Sequence, residues 1–176
     1  METYVALLRG INVSGKNPMA MEALRDLFAS LGHDDVRTYL QSGNVAFRSR
    51  RGDPAKIAGA IEARIARDLG LTVPVLLRTR AQIADVLGRN PFAVTRAEPA
   101  TLHVTFLAAL PDPAAAAALE ATRSLPDACS IVGREVYLHC PDGYGRTKLN
   151  NTFLERKLGV GATTRSWKTV TKLAEL

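Results

Sequence analysis

A chain of 176 residues, 47% hydrophobic and 23% charged, has the size and balance of a globular protein that folds without disulfides or metal. No apolar run reaches the roughly 20 residues that span a bilayer, and the start Met1-Glu2-Thr3-Tyr4 lacks the basic opening of a secretory signal, so a cytoplasmic protein without a membrane partner is expected. The formal charge of +6 favours anionic partners without naming one.

Residues 3–8 read as a buried strand and 9–18 as a loop. Met21, Leu24, Phe28 and Leu31 recur at helical spacing, which predicts a helix over 19–31. Strands at 36–41 and 44–48 flank the turn signal Ser42-Gly43. Ile57, Ile61 and Ile65 mark one stripe of a helix over 54–69, and 73–77 is the next strand. A short linking helix covers 81–87. The order then restarts with a strand at 102–107, an alanine-rich helix at 113–122, and a hairpin of 130–132 with 136–140. A helix at 148–158 follows, then a last helix from about Ser166 onward.

The expected fold is therefore α+β, with duplicated ferredoxin-like βαββα halves and mostly antiparallel sheets. The first half is 1–79, a helical linker is 80–100, and the second half with its C-terminal helix is 101–176. The second half shows no clear fourth strand. Asn17-Pro18, Asp53-Pro54 and Asp112-Pro113 each pair a capping side chain with a proline suited to the first helical position.

A two-residue turn at Gly133-Arg134 sets Cys129 opposite Leu138 and not opposite Cys140, which leaves both cysteines as reduced, small hydrophobes. His33, His103 and His139 are scattered, and no cysteine–histidine cluster has metal spacing. No metal or cofactor is expected.

Gly10-Ile-Asn-Val-Ser-Gly15-Lys16-Asn17 follows a strand and precedes a helix. It matches the phosphate-loop pattern G-x-x-x-x-G-K-[ST] except at the last position, where Asn17 replaces the hydroxyl that would hold Mg²⁺. An ATPase or GTPase is thereby disfavoured. Two readings stay open: a metal-free anion site, or a capped strand-to-helix turn with a solvated lysine.

In a sheet of order 4-1-3-2, the end of the first strand and the turn after the second share one edge. Arg9, Gly10, Asn12, Gly15 and Lys16 would then meet Gln41, Ser42 and Asn44. That set of a guanidinium, an ammonium, amides, a hydroxyl and backbone N–H groups suits a phosphorylated small molecule or nucleotide. It offers no evident general base. Hairpin chemistry alone also explains Ser42, Gly43 and Asn44.

Further along, Thr163 to Thr169 read as the opening of the final helix, with Arg165 and Lys168 as anion contacts and Trp167 as the docking residue. A single-stranded nucleic-acid role is the weaker alternative. The spaced aromatics of an RNA-recognition strand are missing, and Tyr39, Phe47, Phe106 and Tyr137 are all compatible with core positions. An enzyme of unknown reaction is the third.

Leu8-Arg9-Gly10-Ile11-Asn12-Val13 with Gly15-Lys16-Asn17, then 38–45, then Ala162 to Arg165 with Trp167 and Thr169, resemble the signature blocks of domain-of-unknown-function family 1697. The resemblance spans nearly the whole chain. It implies a bacterial-type cytoplasmic protein with a duplicated ferredoxin-like fold, and it implies no reaction. Ser166 and Lys168 stand where the family's final block carries Asn.

Overall fold

The computed structural model describes residues 1–122 and 126–176. In the first part of the chain the elements are β1 (Glu2–Leu8), α1 (Met21–Ser30), β2 (Asp34–Tyr39), β3 (Asn44–Ser49), α2 (Pro54–Leu69), β4 (Val75–Thr79) and α3 (Arg80–Gly88). The second part repeats them as β5 (Leu102–Leu107), α4 (Pro113–Ala121), β6 (Ala128–Val132), β7 (Glu135–His139), α5 (Asn151–Leu158), β8 (Ala162–Ser166) and α6 (Trp167–Glu175). Two compact units result, Met1–Ala84 with Leu173–Leu176, and Asp85–Lys172. Among the described residues, no helix is long and apolar enough to cross a membrane.

Each unit holds a four-stranded sheet, ordered β2-β3-β1-β4 and β6-β7-β5-β8, and every pairing is antiparallel. Read from the far edge, each order is 4-1-3-2. The fold is thus a duplicated α+β arrangement, and both halves run β-α-β-β-α-β-α.

The repeat is exact enough to align by backbone bonds. Leu8 N–H donates to Gly43 O at 2.8 Å, and Leu107 N–H donates to Arg134 O at 2.8 Å. Likewise Arg9 N–H reaches Pro74 O at 2.9 Å, and Ala108 N–H reaches Gly161 O at 2.8 Å.

The duplicated α+β expectation holds, but the second half does have the fourth strand that its sequence did not announce. Residues 162–166 pair with β5 in the register Leu107↔Ala162 to His103↔Ser166. The run Ala-Thr-Thr-Arg-Ser has no apolar alternation to announce a strand. Its β-branched threonines adopt strand geometry because β5 supplies the ladder. The final helix begins only at Trp167, and the Ser166 hydroxyl accepts from Thr169 N–H at 3.2 Å.

Two of the three anticipated caps form. Asp53 Oδ1 accepts from Ala55 N–H and Asp112 Oδ2 from Ala115 N–H, each at 3.0 Å. Asn17 does not cap a helix. α1 begins at Met21 behind Ala20, which offers no side-chain cap.

Alternation places Tyr4, Ala6 and Leu8 of β1 with Val45, Phe47 and Leu77 on the face covered by Leu24, Phe28, Ile61 and Ile65. Burying such side chains contributes roughly 1.5–3 kcal/mol each. The second unit repeats this with Leu107, Val136 and Leu138 under Leu119, Leu154 and Leu158. Cys129 pairs opposite Leu138, and both cysteines are free thiols.

Candidate functional site

The connection after β1 differs between the halves. In the second it is a short run from Ala108 to the Asp112 cap, whereas in the first it winds from Arg9 to Ala20. Within it, Lys16 N–H donates to Val13 O at 2.9 Å, and Ser14 and Gly15 between them have φ of 50 and 74. Two left-handed central residues make this a primed two-residue turn. Asn12 N–H then bonds Asn17 O at 3.1 Å, extending a miniature hairpin. Asn17, at φ 47, sends its amide to Gly10 O at 3.0 Å.

Asn12 joins this hairpin to the rest of the unit. Its amide nitrogen donates to Met19 O at 2.9 Å and to Gln41 O at 2.8 Å, while its Oδ1 accepts from Met19 N–H at 2.8 Å. The loop is thereby tied to the turn between β2 and β3. That turn is itself fixed. The buried Asn44 donates to Tyr39 O at 2.9 Å and to Ser42 Oγ at 3.0 Å. Gly43, at φ +84, lies so close to Leu8 that an added Cβ would stand 2.8 Å from Leu8 Cβ.

Loop and turn therefore converge on one rim of the first sheet. Gly10, Gly15, Lys16, Gln41 and Ser42 are exposed there, Arg9 and Asn12 are half-buried, and Asn44 is buried. The contacts of Asn12 and Asn44 described here go to backbone carbonyls, an amide N–H and the Ser42 hydroxyl. The loop is not a phosphate cradle of the nucleotide-hydrolase kind, since Lys16 N–H turns inward to Val13 O. Nor does α1 follow directly on Lys16, because Asn17, Pro18, Met19 and Ala20 intervene in the chain and Glu22 occupies the first helical turn.

Arg165 and Lys168 belong to the second unit. Arg165 lies on β8, with Nη1 donating to Thr163 Oγ1 at 2.8 Å and Thr164 O at 3.0 Å. Burial lowers its guanidinium to about 10. Lys168 is exposed in the first turn of α6. Phe47, Phe106 and Tyr137 are buried, so they form no platform for stacked bases.

Sequence reading missed a polar cluster in the second unit. The Thr105 and Thr164 hydroxyls lie 2.7 Å apart, and Thr164 donates to Asn151 Oδ1 at 2.7 Å. The His103 ring stacks on Tyr144 at 4.9 Å between centroids. Burial lowers the His103 imidazole and raises the Tyr144 phenol. The equivalent positions in the first half are Tyr4, Ala6 and Leu77. Aligning the two halves would have exposed this change from apolar to polar. Among the described residues, no group of three or more His, Cys, Asp or Glu side chains is placed to hold a metal ion.

These features define a duplicated α+β protein whose first unit carries an elaborated, internally bonded rim. Residues 1–137 match the family described as "Protein of unknown function (DUF1697)", and the chain belongs to that family. Conserved bacterial protein SP0830 from Streptococcus pneumoniae is similar in structure, with a TM-score of 0.79 and 23% identity over 99% of this chain and 97% of that one. At that identity the likeness is one of fold. No curated protein matches.

Proposed function

We propose that this protein is a binding module for a small phosphorylated or otherwise anionic molecule, held at the rim formed by the 9–17 loop and the 40–43 turn. The observation that carries the reading is the Asn12 clasp, which bonds Met19 and Gln41 at once. It holds an exposed cation, Lys16, and an exposed amide, Gln41, on a frame whose left-handed residues would otherwise favour disorder. Non-glycine residues at positive φ persist only where their surroundings over-determine them, and such places cluster at binding sites. That the second half has no counterpart to this loop argues that the fold itself does not require it.

Lys16 would supply the charge, the Arg9 guanidinium a second cationic contact, and Gln41 and Ser42 neutral hydrogen bonds. The nucleic-acid alternative is weaker, because Phe47, Phe106 and Tyr137 are buried. Free thiols at Cys129 and Cys140 fit a reducing cytoplasm.

The test is thermal-shift screening with inorganic phosphate, sugar phosphates and nucleotides, on the wild type and on Lys16→Ala. A ligand at a hundred times its Kd stabilises by about 2.7 kcal/mol, a rise of several degrees. Lys16 is exposed, so Lys16→Ala should melt like the wild type without ligand and lose the rise with it. Silence towards every anion at millimolar concentration would end the proposal.

A further inference from the structure

The loop and the turn of this rim each present an apolar side chain to solvent. Val13 is 55% exposed and Leu40 is 56% exposed. Val13 and Lys16 are direct cross-strand partners in the miniature hairpin, and directly opposed residues project from the same face. Leu40 precedes Gln41, and Asn12, which holds Gln41, precedes Val13. Both apolar residues are thus chain neighbours of the two ends of one hydrogen bond.

Leu40 is also held at φ 58. That is left-handed territory, where a bulky residue is a genuine outlier and Asn or Gly would sit at lower cost. A leucine that is both strained and wet contributes nothing to the core of the first unit. Its place in the turn that Asn12 ties to the Lys16 loop is accounted for by a partner with an apolar body next to its negative charge.

Resting on the anion-binding reading above, we propose that the ligand class is a phosphate monoester with an apolar aryl or alkyl body. The phosphate meets Lys16, and the apolar body lies across Val13 and Leu40. Polar sugar phosphates would satisfy only the first contact.

The experiment is an NMR titration of the full chain with phenyl phosphate and, in parallel, ribose 5-phosphate, reading Kd from backbone amide shifts. The variants are Leu40→Asn, which suits the left-handed backbone, Val13→Thr, which keeps the shape, and Lys16→Ala. Covering a few tens of Å² of apolar surface should make phenyl phosphate bind about tenfold tighter than ribose 5-phosphate. Leu40→Asn and Val13→Thr should each shrink that preference while leaving ribose 5-phosphate unchanged, and Lys16→Ala should weaken both.

Equal binding of the two probes, indifferent to Leu40→Asn, would overturn the apolar contact and leave the anion site standing. Binding of neither probe would overturn both readings together. Amide shifts confined to residues outside 9–17 and 40–44 would also overturn the proposal, even if phenyl phosphate were preferred.

Discussion

Gly43→Ala tests whether the rim is as tightly built as its hydrogen bonds suggest. Gly43 has φ +84, where an L side chain costs about 1–2 kcal/mol. The new Cβ would also stand 2.8 Å from Leu8 Cβ and 2.9 Å from Ile11 Cδ1. The Ile11 terminal methyl can rotate aside. Leu8 Cβ cannot easily retreat, because Leu8 N–H is bonded to Gly43 O at 2.8 Å and its strand lies between β3 and β4. Overpacking of this kind adds about 1–3 kcal/mol.

The expected loss is therefore about 2–5 kcal/mol, read from urea unfolding followed by far-UV circular dichroism. Gly10→Ala provides the control. Gly10 has φ +73 and nothing within 4 Å of a built Cβ, so only the backbone cost of about 1–2 kcal/mol should appear. If both variants lost the same amount, the close approach of turn and strand would be refuted. The claim that Gly43 fixes the rim would go with it.

Asn12→Ala removes the bonds to Met19 and Gln41 and should cost about 1–3 kcal/mol in the same assay; unfolding indistinguishable from the wild type would contradict the clasp. His33 packs against Phe28 and Phe47, and burial outweighs the nearby Asp34 carboxylate to lower its pKa from 6.5. The unfolded chain then binds the proton more readily than the folded one, so His33 should cost stability as pH falls below about 6.5 and be neutral above it. His33→Leu should flatten that part of the pH–stability curve, and an unchanged slope would count against it. Burial raises the Cys129 thiol to about 11 and also raises Cys140. At pH 8 the Cys129 thiolate is then on the order of a thousandth of the population, so a disulfide reagent should label the folded protein slowly and the urea-unfolded protein fast. Rapid labelling of the native state would show the thiols to be accessible and ionised.

Local patterns in the sequence determined most of the fold. The Ile57, Ile61 and Ile65 stripe behind Asp53-Pro54 placed α2 at Pro54–Leu69, with Ile61 and Ile65 buried. The Gly133-Arg134 turn set Cys129 opposite Leu138. In each case the signal lies within a few residues of its effect, as a helical period, a cap or a tight turn. The meeting of the loop and the turn was also legible, because strand order alone brings the end of β1 to the turn after β2.

Tertiary structure alone decided the rest. The strand character of Ala162–Ser166 comes from β5, a partner far away in the chain. The role of Asn17 was misread because asparagine suits both a helix cap and a left-handed loop position. Here the Gly10 carbonyl settles it as a loop residue. Asn12 was placed at this rim by its position after β1, but that its amide bonds the Gln41 carbonyl was not legible, because only the folded sheet brings that carbonyl within reach. Short-range chemistry writes elements into a sequence, whereas which polar groups meet across loops depends on where the assembled sheet delivers them.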